Sequence, residues 1–415
     1  MRLLVVSQYF WPENFRINDL VTELVKRGHQ VTVLTGVPNY PDGKVFKEFS
    51  DDSSKYSNYE GAEIVRVPMT PRGRGGIRLM LNYLTFALSA SSLGLWRLRG
   101  RSFDAIFTYQ LSPVTVGLPA AMLSAIKHVP MALWVLDLWP ETLQAVGIVR
   151  NPKLLQLVGK LVAFIYKRCD LILAQSKSFI PQIKRYAGES SHVVYFPSWA
   201  ELIFKEKTAY PAVEVPRNPG SFNVMFAGNI GDAQDFPAIL LAAEILKTHV
   251  HIRWIIVGDG RMAPWVSSEI RRLKLEDCVL MLGRHPVERM PSFFKHANAL
   301  LVSLKDDPIF SMTIPGKLQS YLAAGIPVVA MLNGEGAEVV NSSQAGLTCA
   351  SGDYSGLAAA VLRLSQMTTD ELGLMGRNGL KVSQLEFNRD TLIDHLEQWI
   401  DQMQVKVAKP LPPAV

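Results

Sequence analysis

Ser311-Met312-Thr313-Ile314-Pro315-Gly316-Lys317 is the stretch with the most specific chemical content. It leads into a helical pattern, Leu318-Gln319-Ser320-Tyr321-Leu322-Ala323-Ala324-Gly325, and then a strand, Ile326-Pro327-Val328-Val329. Pro315 suits the first position of a helix, and Gly316 leaves the free amides of the first turn uncovered. Lys317 adds a point charge to the same positive pole, so the combination suits a diphosphate. A capped helix with a solvated lysine is the plainer alternative. Two glycine turns also follow apolar strands: Phe226-Ala227-Gly228-Asn229-Ile230-Gly231 and Val257-Gly258-Asp259-Gly260-Arg261. Gly228, Gly231 and Gly258 would let a ligand approach the backbone, and a helix after Gly231 would offer amide donors to phosphate. Tight strand–helix turns use glycine for purely structural reasons as well. Asn333-Gly334-Glu335-Gly336-Ala337-Glu338 places two carboxylates in a flexible loop, where Glu335 and Glu338 would accept hydrogen bonds from sugar or ribose hydroxyls.

These residues need a scaffold of parallel strands, because ligands of open α/β sheets bind beyond the carboxyl ends of the strands. Short β-branched runs alternate with longer helical patterns throughout the chain. Strands are expected at Leu3–Ser7, Val31–Thr35, Ile64–Val67, Ala105–Tyr109, Met131–Val135, Leu171–Ala174 and His192–Tyr195. Helical patterns at Ile17–Arg27, Val114–Lys127 and Leu154–Arg168 lie between them. The pattern breaks from Pro197 to Pro219, which carries four prolines and reads as an interdomain connection. It restarts with Phe222–Ala227, Arg253–Val257, Val279–Leu282, Ala299–Ser303 and Pro327–Ala330. A last helix, roughly Asn388 to Gln404, precedes a tail with Pro410, Pro412 and Pro413 that is expected to fray. The fold class is therefore α/β, with two doubly wound domains at 1–198 and 199–386, and the helix near 387–405 packing back on the first.

A chain of 415 residues, 48% hydrophobic and 19% charged, has apolar material for two cores. Cys169, Cys278 and Cys349 lie far apart without a C-x-x-C pair, which points to a reducing compartment and away from a disulfide framework or structural zinc. The run Leu3–Val6 is too short for a signal-peptide core and reads as a first buried strand. Residues 1–200 hold 23 basic and 14 acidic residues, against 20 and 23 in the remainder. A basic half suggests a surface facing a polyanion or an anionic membrane, with ordinary arginine solvation as the alternative. Nucleic acid is disfavoured, because no aromatic-interleaved reading motif accompanies the charge. Arg72, Arg74 and Arg78 precede the apolar stretch Leu79–Trp96, and Arg97, Arg99 and Arg101 follow it. This stretch reads as a core crossover helix, as a helix whose arginine-rich ends touch anionic lipid, or as a membrane span.

Gly228-Asn229, Val257-Gly258-Asp259-Gly260, Leu282-Gly283-Arg284, Gly316-Lys317, Ala324-Gly325-Ile326-Pro327-Val328-Val329 and Gly334–Glu338 together resemble family 4 glycosyltransferases across the second half. Tyr9-Phe10-Trp11-Pro12-Glu13-Asn14, Arg27-Gly28-His29-Gln30-Val31-Thr32-Val33 and Asp137-Leu138-Trp139-Pro140-Glu141 are similar to that family's first half. The subgroup resembled builds bacterial capsule, colanic acid and O-antigen and includes L-fucosamine transferases. The resemblance implies the GT-B architecture, two Rossmann-like domains facing across a cleft. It implies a retaining transferase that moves a deoxy or deoxyamino sugar from a nucleotide diphosphate held by the second domain. The acceptor would be a polyprenyl-diphosphate-linked glycan held by the first, on an enzyme that is cytoplasmic and peripheral at the inner face of the cytoplasmic membrane.

Several positions depart from the family pattern. Met312 and Ser320 occupy the places of its Glu-x7-Glu pair, Asn229 and Gln234 those of an Arg and a Lys, and no His stands near Leu136 and Asp137. Arg284, Lys317 and Arg16 are the expected diphosphate contacts, with Asn229 and Asp259 beside them and Glu335 or Glu338 on the ribose. Asp137 would orient the acceptor hydroxyl or cap a turn, and Glu13, Asn14, Arg16, Trp139 and Glu141 lie on the acceptor side. No D-x-D occurs, and Asp306-Asp307 is a weak substitute, so cofactor-free, metal-independent transfer is expected. A nucleotide-sugar 2-epimerase and a non-catalytic glycan-binding subunit are the alternatives. A nicotinamide dehydrogenase is disfavoured, since neither glycine turn gives G-x-G-x-x-G with an acidic residue about 20 positions later.

Overall fold

A computed structural model describes residues 1–408 except 74, 146, 148, 150 and 206–210. Arg74 and the tail prolines Pro410, Pro412 and Pro413 thus lie outside the described residues. The chain forms two compact units, Met1–Phe196 with the segment from Asp390 onward, and Pro197–Arg389.

The first unit is built on eight strands: β1 (Arg2–Ser7), β2 (Gln30–Gly36), β3 (Asn58–Tyr59), β4 (Ala62–Val67), β5 (Ala105–Gln110), β6 (Met131–Val135), β7 (Leu171–Ala174) and β8 (Val193–Tyr195). Their order is β3-β4-β2-β1-β5-β6-β7-β8, parallel except for β3 against β4. All residues of β5, β6 and β7 are buried, as required of strands covered on both faces. The chain runs from β1 one way across the sheet and from β4 through β8 the other way. Right-handed crossovers then put the helix Arg16–Lys26 on one face and the helices Gly76–Ser89, Gly117–Lys127 and Pro152–Tyr166 on the other. The apolar stretch before Arg97 is thus the β4–β5 crossover, passing through a π-turn at Ala90–Gly94 into Leu95–Arg97, with Phe86, Ala87 and Ala90 in the core. The final helix, Arg389–Ala408, is tied to the first by Arg27, which binds Asp394 at 2.5 Å and Glu397 at 2.6 Å.

The second unit carries β9 (Phe222–Ala227), β10 (Ile252–Val257), β11 (Val279–Gly283), β12 (Ala299–Ser303), β13 (Val328–Met331) and β14 (Gly346–Cys349), all parallel, in the order β11-β10-β9-β12-β13-β14. The short strands β3 and β14 have no counterpart in the sequence reading, because β3 has two residues and β14 is only half-buried. The proline-rich stretch after Pro197 is more than a connection. Trp199 and Val215 are buried, Phe204 stacks on Phe294 at 5.5 Å, and buried Arg253 donates to the Pro216 carbonyl at 3.0 Å.

Candidate active site

In the second unit the strand order reverses at β9, between β10 and β12, which is where an open sheet leaves a crevice. The helix Gly316–Ala324 starts there. Tyr321 anchors it, because its hydroxyl accepts from the Ala227 amide at 3.0 Å and donates to the Ala227 carbonyl at 3.2 Å. Lys317 lies one turn earlier on the same face. Its ammonium stands 4.0 Å from the centre of the Phe226 ring, and its side chain lies where a Cβ on Gly228 would be. Enclosure pushes the ammonium down to about 7, and among the described residues no carboxylate pairs with it. Pro315 is the N-cap rather than the first helical residue, and no side chain caps the helix. Gly316 is exposed, with open space where a Cβ would stand. Gly228 and Lys317 therefore converge on the uncapped first-turn amides of the Gly316 helix as one cationic pole.

The glycine turns serve a different purpose from the one their sequence suggests. A Cβ on Gly258, at φ +151°, would overlap the Gly228 carbonyl, and one on Gly260 would overlap the Ile230 carbonyl. The two turns are laced together by Ile230 N–H to the Asp259 carbonyl at 2.9 Å and Met262 N–H to the Ile230 carbonyl at 3.0 Å. Gly258 and Gly260 thus relieve loop-on-loop contact, and only Gly228 faces the lysine. Gly231 does not open an α-helix either. A 3-10 turn, Asp232–Gln234, intervenes before the helix Phe236–Leu246, and the Gln234 side chain accepts the Gly231 amide at 3.0 Å. Asn229 and Asp259 are exposed at the tips of the turns, with Asp259 accepting its neighbour's Gly260 amide at 2.7 Å. Arg284 is exposed after β11, two strands from β9, and forms no hydrogen bond or ion pair among the described residues.

Glu335 and Glu338 are not in a flexible loop. They occupy the first turn of the helix Glu335–Ser343, where carboxylates complement the positive helix end. Gly334, at φ +68°, packs against the Ser311 carbonyl, and Gly336 lies against Pro315. This second helix start therefore sits next to the first. Asp306 accepts from Asn333 at 3.0 Å, and Asp307 caps the short helix Pro308–Ser311 through the Ile309 amide at 2.9 Å. Both carboxylates thus have structural work. A third acid, Glu201, joins them from outside any of the motifs. Ser320 donates to Glu201 at 2.6 Å, so a carboxylate from the segment before β9 stands at one of the two positions where the resembled family has glutamate. Nothing local to Glu201 announces this, whereas Tyr321 was within reach, four residues from Lys317 on an evident helix.

In the first unit the order reverses at β1, between β2 and β5, and a small recess there is lined by Ser7, Gln8, Tyr9, Tyr109 and Ser112. Trp139 Nε1 donates to Ser112 at 3.1 Å, and Ser112 also reaches the Asp137 carboxyl, which burial pushes up to about 7. Arg16 opens its helix beside the Tyr109 hydroxyl. Asn14 is exposed and unbonded among the described residues. Glu141 accepts from Tyr186 at 3.0 Å. Glu13 is buried and committed: its oxygens accept the amides of Asn39 and Tyr40 at 2.7 Å and Phe10 at 3.2 Å. Burial still raises its carboxyl to about 7. Glu13 shapes the loops after β1 and β2 rather than presenting a free oxygen.

Comparison with known proteins fits this arrangement. Residues 14–199 match the glycosyl transferase 4-like domain and residues 221–367 match glycosyl transferases group 1, together about four fifths of the chain. The probable glycosyltransferase WbjE of Pseudomonas aeruginosa is 24% identical over 65% of this chain and 70% of its own. The putative colanic acid biosynthesis glycosyl transferase WcaI of Escherichia coli is 24% identical over 78% and 82%. Among solved structures, Anabaena HepE in complex with UDP and glucose superposes with a TM-score of 0.68 at 15% identity, covering 97% of this chain and 99% of that one. Sucrose-phosphate synthase from Thermosynechococcus elongatus gives 0.69 at 15% identity, covering 98% and 99%. Both parts of the chain match glycosyltransferase domains and its fold is GT-B: the protein belongs to the glycosyltransferases, similar to those of bacterial polysaccharide biosynthesis.

Proposed function

We propose that the protein is a retaining glycosyltransferase whose second unit holds a nucleoside diphosphate sugar against Lys317 and the start of the helix at Gly316. The observation that carries this reading is the unpaired, desolvated ammonium of Lys317 beside uncapped amides. An enclosed cation without a counter-ion favours an anion in its place. In the reaction the bond from the sugar's anomeric carbon to diphosphate oxygen breaks, and a bond from that carbon to the acceptor oxygen forms on the same face. The acceptor's proton passes to the departing phosphate. Negative charge grows on the diphosphate as it leaves, and Lys317 with the helix dipole stabilises it there. Arg284 adds a second cation, and we assign ribose and sugar hydroxyls to the acids of the neighbouring helix start, Glu335 or Glu338. Asp137, with Ser112 and Trp139, orients the acceptor hydroxyl, and its raised pKa leaves it partly protonated near neutrality. The acceptor we infer is a polyprenyl-diphosphate-linked glycan, the sugar a deoxy or deoxyamino hexose, and the setting the inner face of the cytoplasmic membrane. The chemistry proceeds without a resident metal, so transfer persists in EDTA.

Calorimetric titration with UDP, and with UDP- and GDP-sugars, from pH 6 to pH 9 tests the donor site. Bound diphosphate raises the lysine's pKa, so the protonated form binds tighter and binding takes up a proton above pH 7. Affinity should therefore weaken as pH rises through about 7, approaching tenfold per unit, while Lys317→Ala shows no such slope. No nucleotide affinity at any pH, or the same slope in the variant, would sink the assignment.

A further inference from the structure

The helix Gly76–Ser89 is turned inside out relative to an ordinary surface helix. Its buried face carries Asn82, whose amide oxygen accepts from Gln8 and Tyr9 at 2.8 Å and whose amide nitrogen donates to the Thr70 carbonyl at 2.7 Å. Its outer face carries Ile77, Leu81, Leu84 and Leu88, spaced by four, three and four residues, so they form one stripe. Ile77 is 81% exposed and Leu88 69%, values that leave no room for a packing role within the unit. The stripe continues to Trp96, beyond the π-turn.

Two neighbouring helices on the same sheet face repeat the pattern. Gly117–Lys127, which packs between the other two, exposes Met122 and Ile126. Pro152–Tyr166 exposes Leu154, Leu157 and Phe164. Among the described residues, eleven of the twenty large exposed hydrophobics fall on these three helices and the continuation of the first to Arg97, so they form a patch rather than a scatter.

The charge of this face is one-sided. Residues 76–97, 117–127 and 152–166 contain no acidic residue, while Arg78, Arg97, Lys127, Lys153 and Lys160 lie within them. Cation–aromatic pairs mark the edges: the Arg99 guanidinium is 4.1 Å from the Trp96 ring centre and that of Arg168 is 3.5 Å from Phe164. Beside Trp96 opens a recess of about 520 Å³ lined by Arg66, Arg97, Arg99 and Arg101. Apolar side chains framed by aromatic rings and guanidinium groups match the acyl-to-headgroup boundary of an anionic bilayer, although at the recess Arg101 is already paired with Glu63 at 2.9 Å, which leaves Arg97 and Arg99 as its headgroup contacts. The first helix with its continuation to Arg97 is long and apolar enough to cross a bilayer, but Asn82, Tyr83, Phe86 and Ala87 on its inner face are buried against the sheet, which fits a helix lying on the surface better than one spanning it.

We propose that the outer face of these three helices lies on an anionic lipid surface, with the leucine stripe at acyl depth and headgroup phosphates at the arginine recess. This gives the membrane setting of the proposed function a specific surface and rests on that setting, but it does not depend on the donor reading. The test is co-sedimentation of the full chain with phosphatidylglycerol vesicles and with phosphatidylcholine vesicles, in the absence of donor and acceptor. Binding should require phosphatidylglycerol and weaken steeply with salt. The triple variant Ile77→Asn/Leu81→Asn/Leu88→Asn, and separately Arg99→Gln/Lys160→Gln/Arg168→Gln, should each lower the partition coefficient by about 100-fold. Circular-dichroism melting curves of the same proteins should stay unchanged, which shows that each variant is folded whether or not the donor reading holds. Equal vesicle binding by wild type and both variants would overturn the proposal. So would a wild-type dimer in sedimentation equilibrium that the leucine variant dissociates, since a second copy would then be what covers this face.

Discussion

Lys317→Ala is expected to lower transfer by about 100-fold or more, with no loss of thermal stability. The rate effect follows from where the ammonium stands. It is held over Phe226 by a helix that Tyr321 fixes to the end of β9, so it cannot easily be replaced by a swinging neighbour. Removing one preorganised charge from a developing phosphate anion typically costs two to three powers of ten. The stability effect has the opposite tendency. The free amine titrates near 10.4 and the folded one near 7, so the folded state disfavours the charged form. Wild-type stability should therefore rise as pH climbs from about 7 toward about 10, and Lys317→Ala should lack that rise. Steady-state transfer and melting curves, taken on the same samples, separate the two effects. A variant with wild-type turnover removes Lys317 from the reaction.

Gly258→Ala is expected to cost about 2–4 kcal/mol and to lower the melting temperature by roughly 5–15 °C. At φ +151° an L side chain is already strained, and its Cβ would meet the backbone carbonyl of Gly228, which cannot rotate away. The Gly228 amide is itself bound to the Val257 carbonyl at 2.8 Å, and the Gly258 amide to the Gly283 carbonyl at 2.7 Å. Displacing one turn shifts the other, and with it the residue that faces Lys317. Nucleotide affinity should fall together with stability. An unchanged melting temperature, measured by calorimetry, would show that the two turns are not tightly packed in solution.

Most of the scaffold was legible because parallel strands advertise themselves. The β1, β5, β6, β9, β10 and β12 segments are predominantly apolar stretches of five or six residues, and the sequence expectation for each lies within a residue or two of its observed bounds. The helix at Gly316 was legible from Pro315 and Gly316, which mark its start. What escaped reading depends on contacts between distant segments. Gly258 looks like a ligand-approach glycine until the Gly228 carbonyl is placed against it. Glu335 and Glu338 lie among Gly334 and Gly336 and so look like loop, but Gly334 is an N-cap glycine rather than a breaker. Glu13 belongs to a motif similar to the family's and still proves to be spent on three amides. Glu201 reaches Ser320 across 119 residues of chain, a pairing no local pattern contains.

The route of the chain has a consequence for synthesis on the ribosome. The first unit is left at Phe196 and re-entered only at Asp390, so 193 residues are translated in between. At 5–20 residues per second that is a wait of roughly 10–40 s. During it, the surface that later receives Leu392, Ile393, Leu396 and Ile400 of the last helix is bare in the nascent chain. The second unit is contiguous and can close as soon as it emerges, so the half made first is the half finished last. Chains halted before residue 390 should accordingly present a protease-sensitive amino-terminal part and a resistant 197–389 core, and the reverse pattern would contradict this order of assembly.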